Sequence, residues 1–255
     1  MSIPKSIHYC WFGRNPLPEL AVKCIKSWEK YCPDYTITEW NEDNFDITSC
    51  PLYVRQAYEA KKWAFVTDYV RLRVIYDHGG IYFDTDVELK KNIDSLLMHK
   101  AFFGFENGKH IATGLGFGAE KGTQIVAEMM RDYDDILFLR SNGGYDTTSC
   151  PKRNTDIFLR HGLVQDDSLQ ILEDDILILP KIYLCPIDYS TMRMHHSFRT
   201  VSIHWFAASW HSSEQRQEMR ARQRANRKKK LFRWLRYLIG ENLYERLRLL
   251  IKGNM

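Results

Sequence analysis

Apolar and polar positions alternate along the chain in two periods, one typical of strands and one typical of helices. Runs rich in β-branched and aromatic residues predict strands at 6–12, 35–40 and 81–83. Apolar side chains at helical spacing predict helices at 17–31 and 63–77. Gly79 and Gly80 end the second helix. This alternation of strands and helices is typical of the first part of an α/β fold.

The middle of the chain continues this alternation with shorter segments. Further strands are predicted at 101–106, 115–119, 176–179, 182–185 and 201–206. Helices are predicted at 123–133 and 155–161. The pattern predicts an α/β fold with a mixed, mostly parallel central sheet that helices cover on both faces. In such sheets, ligands bind at the carboxyl ends of the strands.

Composition places the chain among ordinary globular proteins. With 255 residues, 44% of them hydrophobic, it is long enough to bury one full core. No uncharged apolar run reaches the roughly 18 residues of a membrane span, and the first residues lack the apolar segment of a signal peptide. The six cysteines are scattered without a C-x-x-C pair, which disfavours a structural zinc site or a disulfide framework. We therefore expect reduced thiols and a cytoplasmic location.

Charge divides the chain near residue 212. The whole chain carries +4, but residues 213–255 hold thirteen basic and four acidic side chains, a net charge of +9. Residues 1–212 are left with −5. We therefore predict two parts that face different partners: a compact domain over 1–212 and a basic helical tail over 213–255.

The sequence pattern of residues 213–255 predicts helices in which apolar residues are interleaved with arginines. Residues 216–230 are nearly all polar and basic, whereas 231–251 bring in leucines, isoleucines and aromatic residues. A basic amphipathic helix of this kind binds anionic membrane surfaces, so we predict membrane contact through 213–255. Packing on a partner subunit is the first alternative. Nonspecific binding of nucleic acid is the second, and we leave it out of the predicted partners.

Two aspartates follow the strand at 81–83 and are the clearest candidates for chemistry. Asp84 and Asp86 stand at i and i+2, so in an extended segment their carboxylates project from the same face. Such oxygen ligands bind Mg²⁺ or Mn²⁺, which a sugar-nucleotide diphosphate also requires. A D-x-D triplet also arises by chance: Asp132 and Asp134 form a second one on a predicted helix, where side chains two apart diverge. We interpret the second triplet as a solvated helical face.

Three further residues have a structural interpretation as well as a functional one. Asp68 and Arg71 lie three apart on one face of the helix at 63–77, where the alternative to a ligand role is an intrahelical ion pair. His204 follows an apolar strand, and a single histidine in an aromatic stretch is more often a core or surface residue than a ligand.

Four blocks in a fixed order resemble glycosyltransferase family 32, the DXD-containing proteins that include yeast α-mannosyltransferases and bacterial capsule enzymes. The blocks are IPKSIHYCWFG at 3–13, DYVR at 68–71, GGIYFDTD at 79–86 and HWFAASW at 204–210. The match is close over 3–88 and 202–210 and loose between them. The resemblance implies a GT-A fold, a divalent metal, and transfer of a sugar from a nucleotide donor with retention of the anomeric configuration.

The same resemblance implies roles for residues that contact the donor. Trp11 resembles the residue that stacks on the donor base, a role that suits a large flat π surface. Asp68 and Arg71 resemble contacts of the donor sugar, Tyr82 is placed with the donor-binding residues, and Asp84 is placed toward the ribose. The implied catalytic residues are Asp68, Arg71, Asp84 and Asp86.

For the metal and the diphosphate the resemblance implies a second set. Asp84 and Asp86 resemble the metal-binding pair, and His204 resembles a third protein ligand of the metal. Ser209 and Trp210 resemble groups that close on the diphosphate. Related toxin glucosyltransferases place one residue between this serine and this tryptophan, whereas here the two are adjacent.

We predict a cytoplasmic, metal-dependent, retaining glycosyltransferase that is peripheral on the inner face of the cytoplasmic membrane. Its donor is a UDP-sugar or GDP-mannose, and its acceptor is a glycan or lipid-linked saccharide of a bacterial capsular or surface polysaccharide. We can name no enzymatic nucleophile, so we expect the departing phosphate oxygen to act as base, and Asp156 is a weak acceptor-side candidate. The alternative is a non-catalytic module that holds a sugar nucleotide or glycan and docks through its basic tail.

Overall fold

The computed structural model describes residues 2–195, 197–208 and 213–240. Its helices are α1 (Glu19–Tyr31), α2 (Leu52–Glu59), α3 (Trp63–His78), α4 (Gln124–Arg131), α5 (Cys150–Arg160), α6 (Lys181–Leu184) and α7 (Ser213–Ile239). Its strands are β1 (Ser6–Cys10), β2 (Thr36–Trp40), β3 (Gly80–Tyr82), β4 (Val87–Leu89), β5 (Ala101–Gly104), β6 (Phe117–Ala119), β7 (Gln170–Leu172), β8 (Ile176–Leu179), β9 (Ile187–Asp188), β10 (Arg193–Met194) and β11 (Ser202–His204).

A seven-stranded sheet runs through the described part of the chain in the order β2-β1-β3-β6-β5-β8-β7. β1 pairs in parallel with β2 and β3, and β5 pairs in parallel with β8. β6 and β7 run opposite to their neighbours. Five strands therefore share one direction, and the predicted α/β class with a mixed, mostly parallel sheet between helices is confirmed.

Alternation along the strands builds a separate core on each face of the sheet. In β5, Phe103 packs with the cluster formed by α2, α3, α4 and α5, whereas its neighbour Phe102 packs with the cluster that contains α1. All four residues of β5 are buried. A strand covered on both faces is expected to be apolar throughout, which is why the sequence of this segment lacks an alternating pattern.

The glycine pair after α3 brings β3 beside β1. Gly79 and Gly80 have φ angles of 71° and 98°, in the left-handed region that favours glycine. A Cβ at Gly80 would collide with the Ser6 side chain of the adjacent strand. The predicted helix stop is therefore confirmed, and the same two residues allow Ile81 to pair with Ile7.

The structure corrects several predicted elements. The segment 182–185 was predicted as a strand but lies largely in the helical turn α6, which begins directly after Pro180. Short apolar runs fit a strand or a helical turn equally well, and proline is compatible with the start of a helix. For the same reason α5 begins at Cys150 with Pro151 in its first turn, five residues before the predicted start.

The chain forms two compact units. Within the described residues, one contains 2–187, 195 and 197–208, and the other contains Asp188–Met194 and 213–240. In the second unit, the Tyr189 hydroxyl donates to Met219 Sδ and the Gln223 amide donates to Tyr189 O at 3.0 Å. No helix within the described ranges is both long enough and apolar enough to cross a membrane. The division predicted at 212/213 stays a prediction.

Candidate functional site

Asp84 and Asp86 lie where the sequence pattern placed them, just past the carboxyl end of β3. Val87 N–H donates to Asp84 O at 3.0 Å, so the segment between the two carboxylates is a turn from β3 into β4 and not the extended segment assumed from the i, i+2 spacing. β11 then pairs antiparallel with β4, in a register that sets His204 opposite Val87. This pairing brings His204 next to Asp86, across 118 positions of sequence.

Asp84, Asp86 and His204 form a cluster of three potential metal ligands. One ligand atom from each residue lies within 4.8 Å of the others. His204 Nε2 lies 3.2 Å from Asp86 Oδ1, and Ala207 N–H donates to Asp86 Oδ2 at 2.7 Å. The structure therefore brings together the three residues predicted to bind metal.

The electrostatics of this cluster favour a positive charge between the two aspartates. Burial acts to lower the pKa of His204, but the adjacent Asp86 carboxylate more than offsets it and holds the pKa of His204 well above its ordinary value. Burial likewise acts to raise the pKa of Asp86, and the nearby His204 charge brings it below its usual range. A divalent cation would supply the same positive charge to the same carboxylate.

Arg71 connects the α3 residues to the D-x-D segment. Its Nη2 lies 3.0 Å from Asp68 Oδ1 and 3.3 Å from Asp84 Oδ1, and its Nε donates to Thr67 O. The Arg71 side chain is 5% exposed, so its guanidinium is enclosed between the two carboxylates. The intrahelical ion pair is present, and it extends to Asp84 on the neighbouring strand end.

The surroundings of this ion pair set the charge of its carboxylates. Burial raises the pKa of Asp68 to about 6, and Arg71 opposes that rise. Burial also raises the pKa of Asp84, again opposed by Arg71. The hydroxyl of Tyr82, a residue 1% exposed, donates to Asp84 Oδ1 at 3.0 Å. Arg71 and Tyr82 thus hold one oxygen of Asp84 in place.

Trp11 follows β1 directly, at the same edge of the sheet as Asp84, because β1 and β3 are parallel neighbours. Its indole N–H donates to Asn15 O at 2.6 Å, and its side chain stays partly exposed. Ser209 and Trp210 lie outside the described residues. Asp156 is an exposed residue of α5.

The second D-x-D triplet lies in the turn after α4 and not on the helix predicted for it, because α4 ends at Arg131. Asp132 accepts from Arg153 at 3.2 Å, Tyr133 is 1% exposed, and Asp134 is exposed. Asp134 therefore provides a natural control for Asp86.

Two residues near the site, Gly114 and Glu106, were not predicted from the sequence. Gly114 lies against Asp84: a Cβ there would be 2.5 Å from Asp84 Oδ2 and 3.0 Å from Arg71 Nη1. Glu106 follows β5 at the same edge of the sheet; burial raises its pKa, and the charge of His204 opposes the rise. The rule that ligands bind past the ends of strands would have found Glu106, whereas the packing of a glycine leaves no signal in a single sequence.

Comparisons with known proteins agree with the resemblance drawn from the four blocks. Residues 18–103 match the family model described as "Glycosyltransferase sugar-binding region containing DXD motif". The chain is 30% identical over 141 residues to inositol phosphoceramide mannosyltransferase 3 of Schizosaccharomyces pombe (strain 972 / ATCC 24843). That match covers 54% of this chain and 39% of the fungal relative. The predicted resemblance to DXD glycosyltransferases of the family 32 type is confirmed.

Two solved structures show limited similarity to this chain. The PaToxG glycosyltransferase superposes with a TM-score of 0.48 at 19% identity, over 62% of this chain and 70% of that one. A glycosyltransferase involved in the glycosylation of the major capsid of PBCV-1 gives a TM-score of 0.46 at 13% identity, over 85% and 99% of the two chains.

Proposed function

We propose that this family 32-like chain is a metal-dependent glycosyltransferase that moves a sugar from a nucleotide donor to a glycan acceptor. One observation carries the proposal: Asp84, Asp86 and His204 converge at the carboxyl edge of the sheet, beside the enclosed Asp68–Arg71 pair. The edge of an α/β sheet is where such folds bind nucleotides. The convergence joins the third and fourth blocks of the resemblance, which lie more than 100 residues apart in the sequence.

The three side chains fit a divalent cation. Two carboxylates and one imidazole supply oxygen and nitrogen ligands close enough to share one ion. We propose Mn²⁺ or Mg²⁺, because carboxylate oxygens are the ligands that both ions prefer. When bound, the ion would neutralise charge that develops on the departing diphosphate.

The side chains around the cluster would orient the donor. Arg71 and Tyr82 fix Asp84, so that this carboxylate does not reorganise during the reaction. Trp11, at the end of β1, would stack on the base, and Asp68 would accept a hydrogen bond from the donor sugar. Ser209 and Trp210, outside the described residues, are proposed to close on the diphosphate.

We propose retention of the anomeric configuration, following the family resemblance. The acceptor hydroxyl forms the new bond on the face from which the nucleoside diphosphate departs. The bond from the anomeric carbon to the phosphate oxygen breaks, and the hydroxyl proton passes to that oxygen. No double displacement is needed for this outcome.

The proposed donors are UDP-sugars or GDP-mannose. The proposed acceptor is a glycan or lipid-linked saccharide of a bacterial capsular or surface polysaccharide, made at the inner face of the cytoplasmic membrane. The resemblance to capsule enzymes supports the polysaccharide, and the basic amphipathic tail supports the location.

Donor hydrolysis tests the proposal without a known acceptor. Purified protein is incubated with a panel of UDP-sugars and GDP-mannose, with and without Mn²⁺, and release of the nucleoside diphosphate is measured. We expect one donor to be hydrolysed only with the metal, and Asp86→Asn to lower that rate more than about 100-fold, since even outer-shell partners of a metal cost 10–100-fold.

The matched control is Asp134→Asn, which removes the exposed carboxylate of the second triplet and should leave hydrolysis unchanged. Metal-independent glycan binding with no turnover of any donor would instead identify a non-catalytic module. Equal losses in Asp86→Asn and Asp134→Asn would also contradict the proposal.

A further inference from the structure

Helix α7 carries an unusually dense positive charge. Over Ser213–Ile239 the sequence has ten basic and two acidic residues, a net charge of +8. A helix with this charge repels a second copy of itself and attracts an anionic surface. Charge alone leaves open whether that surface is a lipid, a nucleic acid or an acidic protein.

Large apolar side chains emerge from the same helix near its carboxyl end. Leu231, Trp234 and Leu238 stand at i, i+3 and i+7, which places them on one face, and they are 53%, 56% and 56% exposed. We call these three residues the apolar face of α7. Exposed groups of this size and continuity mark binding surfaces.

Basic residues lie on the opposite side of the same turns. Lys229, Arg233 and Arg236 stand at i, i+4 and i+7 on the side away from Leu231, and all three are exposed. The helix therefore has an apolar side and a cationic side over residues 229–238. This is the pattern of a helix that lies in the plane of a membrane interface.

The apolar face of α7 begins directly after Lys230, a residue that contacts the turn Asp188–Met194 of the same unit. Gln223, 8% exposed, donates to Tyr189 O, and Lys230 Nζ lies 3.1 Å from Asp188 Oδ2. The turn Asp188–Met194 thus pairs with α7 as far as Lys230, and the exposed apolar residues start at the next position. The amino-terminal part of α7 therefore serves the fold of its own unit, and Leu231, Trp234 and Leu238 are exposed beyond it.

We propose that the apolar face of α7 docks on an anionic lipid surface, with Leu231, Trp234 and Leu238 inserted among the acyl chains and the flanking arginines and lysines against the headgroup phosphates. A nucleic acid would bind the basic side chains but offers no apolar phase for the leucines. A second copy of the helix would cover the leucines but would bring two sets of +8 together. An anionic lipid interface offers acyl chains to the apolar side of α7 and phosphates to its cationic side.

This inference deepens the proposed location and does not depend on the proposed chemistry. The inactive Asp86→Asn variant should bind vesicles as the wild type does. Loss of donor hydrolysis and loss of membrane binding are therefore separable outcomes.

The test is co-sedimentation of the full chain with vesicles. One vesicle type is pure phosphatidylcholine, and the other contains equal parts of phosphatidylcholine and phosphatidylglycerol. We expect binding to the anionic vesicles alone, weakening steeply with salt. Replacing Lys229, Arg233 and Arg236 by glutamine should weaken binding about 100-fold, since each basic group near an anionic surface contributes about fivefold, or about 1 kcal/mol.

A second variant isolates the apolar contribution. Leu231→Ala, Trp234→Ala and Leu238→Ala together keep helix propensity and should weaken vesicle binding about 30-fold while the salt dependence persists. The matched control is Gln217→Ala with Asn226→Ala, two exposed uncharged positions of the same helix, which should bind like wild type. Helix content by circular dichroism checks that each variant folds.

Three results would overturn the proposal. Wild-type protein that ignores anionic vesicles but binds a uridine oligonucleotide would identify nucleic acid as the partner. An apolar variant that changes from oligomer to monomer and still binds vesicles would identify a second copy of the chain. Vesicle binding by both multiple variants at wild-type strength would remove the apolar face and its cations from any membrane contact.

Discussion

Gly114→Ala tests whether the placement of Asp84 matters for the proposed chemistry. A Cβ at residue 114 would lie 2.5 Å from Asp84 Oδ2 and 3.0 Å from Arg71 Nη1. A carboxylate oxygen in van der Waals contact lies about 3.5 Å from a carbon atom, so the side chain of Asp84 must move by about 1 Å. A displacement of that size costs about 100-fold in rate when the group acts in the transition state. Overpacking of this kind also costs about 1–3 kcal/mol of stability, short of unfolding a typical domain.

The assay measures donor hydrolysis and Mn²⁺ affinity side by side, at a temperature well below the unfolding transition of the variant. We expect both to fall in Gly114→Ala while the circular dichroism spectrum is retained. Gly144→Ala is the matched control, because its new Cβ would meet only the side chain of Asn142. If Gly114→Ala kept its turnover and Mn²⁺ affinity within about threefold, where about 100-fold is expected, the account of how Asp84 is held would be refuted.

Two further predictions concern the donor base and the buried aspartate. Trp11→Ala should weaken donor binding about tenfold, because stacking of a base on an aromatic ring contributes about 1–3 kcal/mol; Trp11→Phe should keep most of it, and an unchanged affinity measured by calorimetry would remove Trp11 from the site. Burial holds the pKa of Asp68 at about 6, above its ordinary 3.8, so the native state keeps a proton that the unfolded state loses. The free energy of unfolding should therefore fall as pH rises from about 4 to about 6, and Asp68→Asn should remove up to about 3 kcal/mol of that fall; parallel denaturation profiles for the two proteins would contradict this.

The position of Asp84 and Asp86 at the edge of the sheet was predictable because its signal is local. A glycine-stopped helix, an apolar strand and two aspartates at i and i+2 occupy consecutive positions, and the edge of a sheet follows from their order. His204 was not predictable in this way. Only the pairing of β11 with β4 brings it to Asp86. From the sequence, the family resemblance was the reason to include His204.

The remaining features depend on tertiary packing. Gly114 supports Asp84 by having no side chain, and Ala207 holds Asp86 through a backbone N–H, so neither carries a distinctive residue type. The enclosure of Arg71 likewise depends on the packing of α3 against β3 and could not be separated from an ordinary helical ion pair. The roles of Ser209 and Trp210 stay predictions.

The central claim is that Asp84, Asp86 and His204 share one divalent ion that binds the donor diphosphate. Crystals soaked with Mn²⁺ and a nucleoside diphosphate would locate the ion directly by anomalous scattering. We expect a manganese peak bonded to all three side chains, with diphosphate density on its open side. A peak elsewhere in the protein, with no density between Asp86 and His204, would contradict it.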